Sequence, residues 1–469
     1  MIIRSLRLLA VILPVVAVVT IFVGIERYGS ADNLQRRIAA EFVALRPHPE
    51  FVPTPLPFEE ASLTIHPLTF SQTTPLPVDT QMPDLGLTRP ELTPTGIPVA
   101  AAIPTGAATP APSLPSRPVV PTLTSSPTRP APPPTVVKPT ATPRRDASGL
   151  PPSARLSGVT HNWQTWNNCG PATLAMNLSY FGQKVGQQEI GSLLRPDPND
   201  KNVSLEEMAD YARSRGLTTD VRVDGNADRL RHLIVAGVPV LIETWHETKP
   251  NDGMGHYRLL IGYDDESSLW TVYDSFDARD VVKGQPYVGI RLSYEEMDRL
   301  WEVYNRKYLV IYDAAHAQTV QRIMSEDRDD ATALARALTH SQTAVQAKPN
   351  DPFTWFNLGS DLVVVGRFKE AAQAYDQSRR IGLPWRMLWY QFGPFRAYYE
   401  SGRYDEVIAL ADATIATAKQ VEEVFFWRGL AEKAKGDVTA ARASWQKALE
   451  LNPRYADAAA ALTSLDRPQ

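Results

Sequence analysis

The chain has 469 residues, enough for two or three domains at roughly 150 residues each. With 43% hydrophobic and 21% charged residues it is not wholesale disordered, and a net charge of −4 speaks against nucleic-acid binding, which needs a basic face. The single cysteine, Cys169, excludes an intramolecular disulfide and a thiolate metal cluster, and the sequence implies no cofactor.

Arg4 and Arg7 precede Leu8 to Ile25, a run without a charge that ends at Glu26. The run reaches the lower length limit of a membrane-spanning helix, and the preceding arginines set the N-terminus in the cytoplasm. Residues 1–30 therefore read as a transmembrane signal anchor with the bulk of the chain extracytoplasmic. If Gly29-Ser30-Ala31 were a cleavage site, the product would be secreted instead. Residues 31–152 follow as a linker rich in Pro and Thr. Proline fixes φ and removes a donor, so extended polyproline II is favoured over helix or sheet. Such a segment serves as a semi-rigid stalk or as a passive disordered tether.

Globular patterning begins near Leu156. His161-Asn-Trp-Gln-Thr-Trp-Asn-Asn-Cys-Gly-Pro-Ala172 leads into an apolar helical pattern through Leu174, Leu178 and Phe181, with Gly182 as its stop. Cys169 is placed at a helix N-terminus, where unpaired amides favour a thiolate; the plain alternative is a small buried hydrophobe. Gln164, five residues earlier, is a candidate oxyanion donor. Further along, 227–236 reads as a helix and 238–245 as a strand. His256 opens the strand Tyr257–Tyr263, and after an Asp264-Asp265 turn comes Leu269–Asp274. An antiparallel pairing of these two strands sets His256 beside Asp274, so that a carboxylate orients an imidazole. His161 and His246 lack ligand spacing, and Ser204-x-x-Glu207 and Ser293-x-x-Glu296 read as capping boxes. Trp163, Trp166 and Trp245 suit either a cleft lining or the core. Tyr308–Tyr312 is expected to close the domain.

Gln164-x4-Cys169-Gly-Pro, Gly255-His256 and Val272-Tyr-Asp274 resemble the papain-fold cysteine peptidases of the bacteriocin-processing, C-39-like group. The resemblance implies an α+β peptidase domain over 153–314. It implies Cys169 as nucleophile, His256 as general base, Asp274 as orienting group and Gln164 in the oxyanion hole. The group usually carries Asp-Pro at the last position; here Ser275-Phe276-Asp277 follows, which leaves Asp277 a lesser candidate. Nothing resembling an exporter is present, so leader-peptide processing does not transfer.

From 318 to 469 the pattern is helical and repetitive. Gly366, Gly402 and Gly436 mark turns at near-constant spacing, and Ala371, Val407 and Ala441 recur as small or apolar residues around them. This resembles tetratricopeptide repeats, an all-α solenoid that binds peptides or proteins or else caps its neighbour. Pro394 makes the middle unit irregular. The whole reads as a multidomain, single-pass membrane protein: a cysteine peptidase acting on peptide or amide bonds, with a protein partner on its repeats. The alternatives are an acyltransferase or amidase on the same residues, or a silent binding scaffold.

Overall fold

A computed structural model describes residues 49–57, 149–247, 252–282, 284–327 and 329–466. The expected anchor over 1–30 and most of the Pro/Thr-rich linker lie outside these. Among the described residues no helix is long and apolar enough to cross a membrane.

The first half is an antiparallel sheet between two helical layers. Its strands are β1 (Ser153–Arg155), β2 (Thr218–Arg222), β3 (Val240–Glu247), β4 (Gly253–Asp264), β5 (Leu269–Asp274), β6 (Ile290–Ser293) and β7 (Tyr308–Tyr312), in spatial order β2-β7-β3-β4-β5-β6. β1 pairs with the far end of β4, where partnering with β3 has stopped. A register shift between Leu260 and Gly262 marks that point, and a Cβ on Gly262 would lie 2.8 Å from the Ala154 carbonyl oxygen. Only glycine lets β1 come so close.

Alternation along the strands loads both faces. Leu241, Leu259, Ile261, Leu309 and Ile311 pack under α1 (Cys169–Tyr180), α2 (Gln187–Leu194) and α3 (Leu205–Ser214). Val240, Ile242, Leu260, Val272 and Val310 pack on the opposite side under α4 (Ala227–Val235) and α5 (Tyr294–Glu302). α6 (Ala317–Ile323) adds Val320 to that second face, so the layer runs past the closing strand. Ser204 and Glu207 form a reciprocal capping box on α3, and the Ser293 side chain caps α5.

The second half is helical: α7 (Asp330–Ala347), α8 (Pro352–Val364), α9 (Phe368–Ile381), α10 (Gly393–Glu400), α11 (Tyr404–Thr417), α12 (Glu422–Ala434), α13 (Val438–Leu451) and α14 (Ala456–Leu465). Gly366, Gly402 and Gly436 turn the chain at positive φ between α8 and α9, α10 and α11, and α12 and α13. Gly359 lets the Tyr375 ring approach α8, and Gly429 does the same for Trp445 on α12. Pro394 sits in the first turn of α10, as a residue without an amide hydrogen must. α10 is consequently only eight residues long, preceded by a 3-10 turn over Trp385–Trp389.

Trp245, Leu300, Val303 and Tyr304 of the sheet half belong to the same buried cluster as Phe356, Tyr375 and Trp385 of the helical half. Asn305 Nδ2 donates to Asp361 (2.7 Å), Asn357 Nδ2 to the Glu302 carbonyl (2.7 Å) and Asn202 Nδ2 to Glu423 (2.8 Å). Trp245 thus belongs to the core and not to a cleft.

Candidate active site

Cys169 is the first residue of α1, a helix buried along most of its length. The approach to it is held from several sides. The Thr165 amide donates to Gln187 Oε1 (2.8 Å), while Gln187 Nε2 donates to the Trp163 carbonyl (2.8 Å). Arg195 donates to the Asn168 side chain (2.7 Å) and to the Trp166 carbonyl (3.1 Å). Asn167 takes a positive φ of 54°, one of the few such non-glycine residues. α1 is set on β4 by Thr173 Oγ1, which donates to the Tyr257 carbonyl (3.2 Å).

β4 starts four residues earlier than the sequence pattern indicates, so His256 is inside the strand. Arg258 pairs directly with Asp274 across β4 and β5, and His256 sits on the diagonal of the same face. His256 Nε2 is 2.8 Å from Asp274 Oδ1. The other ring nitrogen is not used in that bond, and the Cys169 side chain is among the groups that raise the imidazole. Arg258 Nε lies 2.9 Å from Asp274 Oδ2 as an ion pair, and all three side chains are buried. The Phe276 and Asp277 amides donate to Asp274 Oδ1 at 2.7 and 2.8 Å.

The charges follow from this packing. Burial pulls the His256 imidazole down, but the Asp274 charge, the hydrogen bond to it and the hydrogen bond with Cys169 outweigh that and raise it to about 9. Burial pushes the Asp274 carboxyl up, yet His256 and Arg258 hold it far below the usual carboxylate range. His246, 5.6 Å from the His256 ring, is lowered to about 3 by burial and by its cationic neighbours. It stays neutral beside the site.

Gln164 is fixed from the same β5 end. Its amide donates to the Ser275 carbonyl (2.9 Å), and Ser275 Oγ donates to Gln164 Oε1 (2.9 Å). Neither of these bonds uses the Gln164 NH2 group. Asp277 instead pairs with Arg279 (2.7 Å). His161 Nε2 bonds the Asp274 carbonyl (2.8 Å) while its ring stacks on Tyr287 at 3.6 Å. Arg258 is not singled out by the sequence, His161 enters there only as a metal-ligand candidate, and Ser275 only as the residue that stands where the group carries proline. Only the i, i+2 alternation from His256 points to Arg258, and nothing in the sequence points to the positioning contacts that Ser275 and His161 make.

Beside the thiol is a cavity of about 10 Å³, room for about one water, lined by Cys169, Lys201, Glu243, Gly255, Tyr257 and Tyr390 among others. Burial raises Glu243 to about 7 and lowers Lys201 to about 8. Trp166 carries the Lys201 ammonium over its ring at 5.2 Å. Trp163, 39% exposed, lies edge-on to His161.

Residues 157–309 match the model of the Peptidase_C39 like family. This segment is a C39-like, cysteine peptidase-like domain. Solved structures resemble the same chain at low identity. A C39-like peptidase from Bacillus anthracis has 15% identity and a TM-score of 0.28, covering 34% of this chain and 98% of its own. The peptidase domain of Streptococcus ComA, a bifunctional ABC transporter, has 13% identity and a TM-score of 0.27, covering 34% and 99%. MamA from Desulfovibrio magneticus RS-1 has 17% identity and a TM-score of 0.25, covering 29% and 73%. No curated protein matches the chain. The C39-like domain holds every residue of the candidate site except Tyr390, which comes from the helical region.

Proposed function

We propose that the chain is a membrane-anchored, extracytoplasmic cysteine hydrolase of peptide or amide bonds, working through Cys169, His256 and Asp274, with a tetratricopeptide array that binds a protein. The observation that supports the reading is a buried imidazole bonded to a buried carboxylate, with the chain's single thiol among the groups that raise that imidazole. The match of 157–309 to a peptidase family points the same way. The anchor rests on the apolar run Leu8–Ile25 behind two arginines. Helix pairs turning at Gly366, Gly402 and Gly436 support the array.

In this reading the Cys169 sulfur attacks the substrate carbonyl and the oxyanion meets the Gln164 NH2 group. His256 gives its proton to the departing amine. It then takes a proton from the water that hydrolyses the thioester, while Asp274 keeps the ring oriented. Comparing newly formed peptide termini in cells carrying the wild type and Cys169→Ala tests this. Termini unique to the wild type are expected, and identical sets would sink the reading. If new products appear only when an amine is supplied, the acyl group is being transferred and not hydrolysed.

A further inference from the structure

Nine residues of the proline-rich stretch, 49–57, do not behave as a tether. They run extended along the helical region, and Phe51 forms a β-bridge with Pro384. The Val52 amide donates to the Leu383 carbonyl (2.8 Å), and the Trp385 amide donates to the Glu50 carbonyl (3.2 Å). Val52 is 4% exposed and joins the core of the helices. The Phe51 ring lies over Gly382, where a Cβ would come within 3.3 Å of it.

Two buried side chains read the backbone that follows. Arg379 Nε donates to the Pro53 carbonyl (2.8 Å), and Glu406 Oε2 accepts from the Leu56 amide (2.8 Å). Both are held from behind: Arg379 Nη1 donates to Glu406 Oε1 (2.8 Å) and to Tyr398 (3.0 Å), and Arg403 ties Asp376 to the same network. With the segment in place Arg379 and Glu406 have side-chain exposures of 2% and 3%, so the bonds to the Pro53 carbonyl and the Leu56 amide are made inside a buried polar network. An extended chain broken by prolines suits them, because polyproline backbone keeps its carbonyls free and offers few amides.

We infer that the face built by α9, the 382–385 loop and α11 is a recognition site for an extended, proline-containing peptide anchored by a branched aliphatic residue, occupied by residues 49–57 of the same chain. The site is made of the second helices of two successive pairs and stands independently of the peptidase reading.

The test uses the full chain carrying Val52→Asp, a change in the extended segment that leaves the helices' own sequence intact, and a fluorescent peptide of residues 50–57. Anisotropy is expected to show the peptide binding the variant about tenfold tighter than the wild type, whose own segment competes from the same chain. The same peptide with aspartate at the valine position should bind neither. Equal binding of both peptides by the variant would overturn the site. So would rapid amide exchange at Val52 and Leu56 in the wild type, where protection is expected. A wild-type dimer that Val52→Asp dissolves would assign the segment to a second copy and overturn its occupancy from the same chain.

Discussion

Asp274 answers to two cations at once, and that shapes what His256 does. Arg258 keeps the carboxylate ionised even when the imidazole is neutral, so under the proposed chemistry the ring would stay oriented throughout a reaction cycle. Cys169→Ala is expected to abolish turnover with the fold intact. Asp274→Asn should lower kcat by a smaller factor, on the order of 10² to 10⁴ from the behaviour of triad carboxylates. Turnover surviving in Cys169→Ala would remove the thiol from the chemistry. Ser275 holds Gln164 through its hydroxyl and its carbonyl, which makes it a positioning residue under the proposed chemistry. Ser275→Ala should cost about tenfold in kcat with little change in KM, and an effect on KM alone would contradict that positioning role. The raised imidazole also sets a pH window. His256 titrates near 6.5 when unfolded and about 9 when folded, so between these the folded state binds more protons and stability falls as pH rises. The full contribution, on the order of 3 kcal/mol, is present below 6.5 and gone above 9. Buried Glu207, Glu243 and Asp361, each raised to about 7, give a fall of the same sign but at lower pH. Melting curves of the wild type and His256→Gln should therefore converge between pH 6.5 and 9. Parallel curves would show that the pair does not titrate there.

At the level of elements, β4 and the 3-10 turn before α10 decide what reaches the sulfur. A Cβ on Gly255 would meet the Tyr390 ring at 3.0 Å and the Tyr304 hydroxyl at 2.9 Å, so this part of the cleft is walled from the helical half. Gln391 Nε2 donates to Glu243 Oε1 (3.0 Å) and Arg386 pairs with Asp252 (3.0 Å), fixing that wall. Because Cys169 is the only cysteine, alkylation of the chain reports this position alone. Tyr390→Ala should raise the alkylation rate about tenfold for a bulky maleimide and less for iodoacetamide. Equal acceleration of both reagents would argue against a steric wall. The sequence made the helix behind Cys169, the neighbouring strands that carry His256 and Asp274 and the turn glycines readable, because periodicity and glycine geometry are local. It placed His256 and Asp274 on neighbouring strands but not in register, since the two-residue offset depends on where β4 begins. Tyr390 could not be seen at all. It lies in a stretch whose helical period is broken by Pro394, and its partner Gly255 is 135 residues away in sequence.

For the whole molecule, the shared core matters more than the boundary drawn between the two halves. Trp245, Leu300, Val303 and Tyr304 are buried in common with side chains of the helical half, and hydrogen bonds at Asn202, Asn305 and Asn357 cross the same surface. Fully burying one large apolar side chain stabilises by about 1.5–3 kcal/mol, so these four together exceed half of a typical domain's net stability. Separated halves would expose them. The C39-like domain and the helical region are therefore expected to unfold together. Calorimetry should give one transition with matching calorimetric and van't Hoff enthalpies. A chain ending at residue 314 should melt lower and bind hydrophobic dye. Two resolved transitions in the full chain, one of them reproduced by that shortened chain, would show that the halves are separate folding units and that the wall at Tyr390 is free to leave.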